Sequence, residues 1–202
     1  MPTKEELKRT ACDTIERHKK ELIGVAKDIL QNPETGFNER RTSSLVARKF
    51  AEWGIPHRND LAITGVKGSI VGGGQPGPRI AVLGELDSLI VGDHPHADTS
   101  TGAAHACGHN AQIGMMLGAI VGLKDSAVLN ELSGTIVPFA VPAEEFVEVE
   151  QRLGLRKKGA LEFLAGKQEL IRLGEFDDVD MAVMCHTASN MGERKFSVGG
   201  TS

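Results

Sequence analysis

Tyrosine is absent from these 202 residues and tryptophan occurs once. Cysteine is scarce too: Cys12, Cys107 and Cys185 make an odd count at irregular spacing, which excludes a disulfide framework. There is no basic surplus. Lys and Arg total 23 against 27 Asp and Glu, a net charge of −4, so the chain does not read as a nucleic-acid scaffold. No apolar run is long enough to span a bilayer. The opening residues, MPTKEELKRT, lack the apolar stretch of a secretory signal. The expectation is a cytoplasmic protein with neither nucleic acid nor membrane as partner. What is plentiful is glycine, at 24 residues, which foretells tight turns and close backbone approaches. With 40% hydrophobic and 25% charged residues the balance is globular, and the length suits one ordinary domain.

Periodicity predicts the elements. Leu7, Ala11, Ile15, Leu22, Ala26 and Ile29 recur at helical steps from Lys4 to Leu30, and Asn32-Pro33 stops them. A second amphipathic helix is expected from about Glu39 to Trp53, ended by Gly54. Leu61 to Val71 reads as strand interrupted by Gly65 and Gly68, and a Gly/Pro loop then leads to the strand Ile80 to Leu83. That order predicts a hairpin and one antiparallel pair. Further on, a helix is expected from Asn110, its N-cap, to Lys124, with Ile113, Met116, Leu117, Ile120 and Val121 inward. The strand Thr135 to Val141, a helix from Gly159 to Leu173 and the strand Val179 to Cys185 complete the pattern. Alternating strands and helices imply an α/β fold: a mainly parallel, mixed sheet with helices on both faces. The run Glu148 to Lys158 mixes charges of both signs and reads as a solvated face. Cys12 and Cys185 read as core residues.

Polar residues gather where three strands end. The strand Ile80 to Leu83 delivers Glu85 and Asp87, Thr135 to Val141 delivers Glu144 and Glu145, and Val179 to Cys185 delivers His186. Open α/β sheets bind ligands beyond the carboxyl ends of their strands. Cys107-Gly108-His109 adds a thiol and an imidazole two residues apart, pointing the same way in an extended segment and lying before a helix N-terminus. Alone, C-x-H is more often a buried cysteine beside a hydrogen-bonded histidine. Together with the strand-end groups it reads as a metal site. Adjacent residues point apart, so Glu144 and Glu145 are expected to divide the work, one binding metal and one handling protons. Asp87 reads as a carboxylate that orients a ligand. Glu85 is open between ligand and turn residue. His94, His96 and His105 lie in a long Gly/His/Asp loop that reads as a solvated lid rather than as a source of ligands.

These residues form motifs in order: Gly84-Glu85-Leu86-Asp87, His105-Ala106-Cys107-Gly108-His109-Asn110, Pro142-Ala143-Glu144-Glu145, and Phe176-Asp177-Asp178-Val179-Asp180 leading to His186. The set resembles the aminoacylase and amidohydrolase metallopeptidases (peptidase family twenty), nearest to the branch of aminobenzoyl-glutamate and indole-acetyl-amino-acid hydrolases. The resemblance implies a zinc-exopeptidase-like catalytic domain and two divalent ions, with zinc, manganese, cobalt and nickel all compatible. It implies Cys107 as bridging ligand, His109, Glu145 and His186 as further ligands, and Glu144 as general base, with Asp87 in the catalytic set. The reaction implied is hydrolysis of an N-acyl or N-aroyl amino acid or dipeptide, by a homodimer when full-length. Residues 1–202 would then be the N-terminal part of a truncated catalytic domain. The lid and dimerisation domain and the C-terminal catalytic part would be absent, and the segment alone is expected to be inactive. Asn110 and Gln112 stand where the auxin-conjugate branch has Asp and His, and Phe146 to Lys158 is an insert. Two other readings stay open: a catalytically incomplete metal-binding fragment, and a cysteine-nucleophile hydrolase using Cys107.

Overall fold

The structure, a computed structural model, describes residues 1–188. Its first helix, α1 (Lys4–Leu30), starts at a capping box: the Thr3 hydroxyl accepts the Glu6 N–H, and the Glu6 carboxylate accepts the Thr3 N–H at 2.7 Å. Helix α2 (Arg40–Glu52) follows, then the short strands β1 (His57–Leu61), β2 (Gly65–Gly68) and β3 (Ile70–Val71). The long central strand is β4 (Arg79–Glu85); β5 (Leu89–Ile90) and β6 (Ala103–Ala104) form a small separate hairpin after it. Helices α3 (His109–Lys124) and α4 (Ser126–Leu129) lead to β7 (Thr135–Val141). Helices α5 (Val149–Lys157) and α6 (Gly166–Arg172) lead to β8 (Met181–Met184).

The sheet order is β1-β2-β7-β4-β8, with β3 also on β7. Strand β4 is parallel to both neighbours, Arg79 to Glu85 matching Thr135 to Val141 and Ile80 to Leu83 matching Met181 to Met184. The chain leaves β4 for β7 on one side, then crosses back to β8 on the other. That reversal opens a crevice at the carboxyl end of β4, where doubly wound sheets bind ligands. Alternation along the strands splits the core into two layers. Val82, Leu86, Ile136 and Ala140 pack with α1, α2 and α3, while Ala81, Leu83, Val137, Phe139 and Val141 pack with Leu170 of α6 and with Phe176 and Val179. Helices thus cover both faces of an α/β sheet, as the pattern predicts.

Several expectations need correction. The hairpin is β1 with β2, not the strand before the glycine loop with β4; β2 and β3 run antiparallel to β7 instead. Asn110 does not cap α3. The cap is Gly108, in the left-handed region at φ +85°, and the Asn110 amide donates instead to the Ala26 carbonyl of α1 at 3.2 Å. The charged run from Glu148 forms α5 and is largely exposed, as expected, but it also carries the fully buried Arg152. The helix expected from Gly159 starts only at Gly166. Cys12 and Cys185 are exposed, not core. No helix among the described residues is long and apolar enough to cross a membrane.

Candidate active site

Each loop that leaves the carboxyl edge of the sheet brings a functional side chain. Residue 85 continues the series 81, 83 that faces α6, so Glu85 reaches an ion pair with Lys167 in the first turn of that helix. Its other oxygen lies 3.0 Å from His109 Nε2. Burial works to raise the Glu85 pKa, but His109 and Lys167 outweigh it and hold the carboxyl down to about 2. Its backbone N–H donates to Gln112 Oε1 at 2.7 Å, which ties the end of β4 to α3.

The two histidines are presented in the same way. His109 Nδ1 lies 2.9 Å from the Asp87 carbonyl, and His186 Nδ1 lies 2.6 Å from the Thr187 carbonyl. A carbonyl only accepts, so each Nδ1 carries a proton and each Nε2 faces the site. His186 Nε2 is 3.4 Å from Cys107 Sγ, and the two rings meet edge to face at 5.8 Å. His109 is buried, and its Nε2 makes no aligned hydrogen bond despite the nearby Glu85. Burial works to lower the His109 pKa, yet Asp87 and Glu85 raise it to about 10. The site therefore draws positive charge to Nε2, as a proton or as a cation.

Donor atoms of Cys107, His109 and His186 lie within 4.8 Å of one another, and so do those of Glu85, His109 and Glu144. Glu144 Oε2 and Glu145 Oε1 each stand 3.9 Å from His109 Nε2. The expectation that these neighbours point apart fails, because the turn that carries them folds both carboxylates onto one imidazole. Burial and Glu85 raise the Glu144 pKa. Burial together with Glu145, Glu144 and Glu85 pushes the Cys107 thiol up to about 12. A thiol, two imidazole Nε2 atoms and three carboxylates, with a buried Nε2 lacking an aligned partner, are a donor set that fits a borderline divalent ion.

The predicted site residues Cys107, His109, Glu144, Glu145 and His186 are thus brought together. Asp87 lies behind His109, its Oδ1 3.4 Å from Nδ1, and its Oδ2 accepts the Glu145 N–H at 2.9 Å. His94 and His96 stay in the loop, facing each other at 5.9 Å. His105 is buried with neither ring nitrogen hydrogen-bonded, and burial and His109 lower its pKa to about 4. Sequence reasoning missed three residues: Lys167, Glu39 and Arg152. Glu39 is buried beneath the Glu144 turn, accepting the Thr64 hydroxyl at 2.6 Å and the Ala143 N–H at 2.8 Å. Nothing in the local pattern separates it from a helix-start glutamate. Lys167 falls in the middle of the helix expected from Gly159, and its reach to Glu85 shows only because α6 begins at Gly166.

Comparison with known proteins identifies the family. The model of the family described as Peptidase family M20/M25/M40 matches residues 81–200. IAA-amino acid hydrolase ILR1-like 6 of Arabidopsis thaliana is 33% identical over 83% of this chain and 32% of its own length. N-acetyl-L-cysteine deacetylase of Bacillus subtilis is 30% identical over 92% of this chain and 40% of its own. The solved structure of the Bacillus subtilis YXEP protein, titled a dinuclear metal binding peptidase from the M20 family, superposes with a TM-score of 0.65. It is 25% identical, over 83% of this chain and 42% of that one. The chain spans less than half the length of these relatives. The family model covers more than half of the chain and two relatives align along most of it, so the chain belongs to the M20/M25/M40 peptidase family.

Proposed function

We propose that this chain carries the metal site and general base of an amidohydrolase acting on an N-acyl or N-aroyl amino acid or a dipeptide. The observation that carries the reading is the convergence of Cys107, His109 and His186 beside Glu85, Glu144 and Glu145 at the crevice of the sheet. Cys107, His109, Glu145 and His186 would hold two divalent ions, with Asp87 orienting His109 and the Glu145 backbone. When bound, such ions polarise a scissile carbonyl and acidify water. Glu144 takes the proton of the attacking water and passes it to the leaving nitrogen. Burial and Glu85 raise its pKa, which favours a carboxylate that can take up a proton and hold it for transfer. Lys167 holds Glu85 in place and leaves the Glu144 carboxylate 4.0 Å away, outside direct hydrogen bonding. The named activities of the relatives, on amino-acid conjugates and acylated amino acids, support this substrate class.

The 3.4 Å approach of Cys107 Sγ to His186 Nε2 favours a second reading, a cysteine nucleophile with a histidine base. The surroundings oppose it: burial and three carboxylates push the thiol up to about 12, whereas a nucleophilic cysteine needs a depressed pKa. The deciding experiment is a screen, on a full-length protein that carries this segment, of N-acyl and N-aroyl amino acids and dipeptides with zinc, manganese, cobalt or nickel, beside a chelator arm and an iodoacetamide arm. Hydrolysis abolished by chelator and restored by one metal supports the proposal. Metal-independent hydrolysis blocked by iodoacetamide would replace it with the cysteine reading. Bound metal without any hydrolysis would leave only a metal-binding fragment.

A further inference from the structure

The turn Pro142-Ala143-Glu144-Glu145 is an awkward piece of backbone. Ala143 has φ +48°, a left-handed conformation that a residue with a Cβ adopts only when its surroundings enforce it. Three buried charged side chains do so. Glu39 takes the Ala143 N–H, Asp87 takes the Glu145 N–H, and the Arg152 guanidinium donates from Nη2 to the Glu145 carbonyl at 2.6 Å. Arg152 is fully buried and is the one pin of the three that donates. Its Nη1 donates to the Leu164 carbonyl at 2.9 Å, so a single fork joins the Glu145 turn to the segment just before α6. Phe37 and Phe146 stack on the guanidinium at 5.3 and 5.8 Å, and the Asp87, Glu39 and Glu148 carboxylates balance its charge. Room is made at Gly36, where a Cβ would lie 2.3 Å from Nη2. A reciprocal pair of side-chain amide hydrogen bonds between Asn38 and Gln151, at 3.2 and 2.9 Å, fastens α5 to the same loop.

We propose that Arg152 is a positioning residue that aims the Glu144 and Glu145 carboxylates through the Glu145 carbonyl, and that residues 146–158 form a buttress for the site. This rests on the reading of Glu145 as a metal ligand. A group that orients a ligand without touching the metal changes affinity by about 10–100-fold when removed. The experiment is a cobalt(II) titration of the chain followed by the visible bands of the bound ion and its thiolate charge-transfer band. It compares the unaltered chain with Arg152→Met, Arg152→Lys, Arg156→Met and Glu145→Gln, with circular dichroism for folding. Expected are cobalt binding about 10–100-fold weaker and shifted bands in a folded Arg152→Met, a smaller loss in Arg152→Lys, and no change in Arg156→Met, an exposed residue of the same helix. Cobalt binding by Arg152→Met equal to the unaltered chain, while Glu145→Gln weakens it, would overturn the buttress and leave the metal reading standing. No cobalt binding by the unaltered chain, or none lost in Glu145→Gln, would overturn the metal reading and the buttress with it. Should Arg152→Met fail to fold, Arg152→Lys decides: it keeps the charge but cannot fork to both carbonyls. Weakened binding by that folded variant supports the proposal, and unchanged binding overturns it.

Discussion

Proton transfer at neutral pH needs a carboxyl whose affinity for protons sits above the ordinary range, and two residues here have one. Glu144 owes its raised pKa to burial and Glu85, and it stands among the donor atoms of the site. Glu144→Gln keeps the size and removes the base. In this chain it is expected to leave cobalt affinity near that of the unaltered one, and in a full-length protein that carries this segment to lower amide turnover by about 10²–10⁴-fold. Wild-type turnover in that variant would remove Glu144 from its role. Glu39 is the second. Burial and Asp87 raise its pKa from 4.5 to about 7, where it is held under the turn and away from any substrate. A folded-state pKa above the unfolded one means that the folded chain binds the proton more tightly. Stability is therefore untouched below pH 4.5 and declines as pH rises toward 7. The full penalty at pH 8 is roughly 3 kcal/mol. Glu39→Gln can still accept the Ala143 N–H while offering its amide to Thr64. In the presence of chelator, its stability relative to the unaltered chain is expected to improve by roughly 2 kcal/mol between pH 5 and pH 8. Parallel melting curves for the two proteins across that range would show instead that Glu39 is ionised at no expense.

Helix α6 contributes to the site through one side chain. Lys167 lies in its first turn and neutralises Glu85, a carboxylate with almost no solvent of its own. His109 and Lys167 together bring Glu85 to about 2, below its ordinary value of 4.5, so its ion pairs stabilise the fold above pH 4.5 and cease to do so as pH falls toward 2. Lys167→Met is expected to destabilise by about 2 kcal/mol at pH 7, with the difference shrinking on acidification toward pH 3. Thermal melts at both pH values measure this, and a pH-independent difference would point to lost packing rather than lost charge. Much at this scale was legible in the sequence. Helix α1 appeared with the bounds it has, and β7 did too, because their periodicities are long and unbroken. The inward residues of α3 are all buried, as read. Two failures share a cause. The hairpin misplaced before β4 and the cap misassigned to Asn110 each depend on a partner far along the chain. Val66 finds Ala140 and Asn110 finds Ala26, whereas Arg152, the buried member of the charged run, finds Glu145 only seven residues back, across a reversal of the backbone. Local pattern tells which residues are charged, not which carbonyl a guanidinium will meet. For the same reason the strand-end clustering exposed Cys107, His109, Glu145 and His186, whereas Glu39 and Lys167 became visible only in three dimensions.

Across the whole molecule, the reversal of strand order around β4 decides where negative charge collects. Glu85 and Asp87 come from the end of β4, Glu144 and Glu145 from the end of β7, and all four surround His109. His109 and Lys167 face these four carboxylates, with Arg152 near Asp87, and His109 is pulled up to about 10 in compensation. Such a cluster repels itself, so a divalent ion should stabilise the folded chain well beyond a general salt effect. Anything that binds the folded state alone adds about 2.7 kcal/mol at a concentration one hundred times its Kd. For a chain of this length that corresponds to a melting temperature higher by about 5–10 °C. Differential scanning calorimetry with zinc, manganese, cobalt or nickel, each reversed by chelator, is expected to find at least one ion with a shift of this size. The shift should be lost in His186→Ala, whose ring reaches the cluster from β8, on the opposite side of β4 from β7. An equal shift in His186→Ala would mean that the ion is held by the β4 and β7 carboxylates alone, without the third strand end. No shift with any of the four ions would mean that His109 and Lys167 already satisfy the cluster, and the metal assignment would have to be withdrawn.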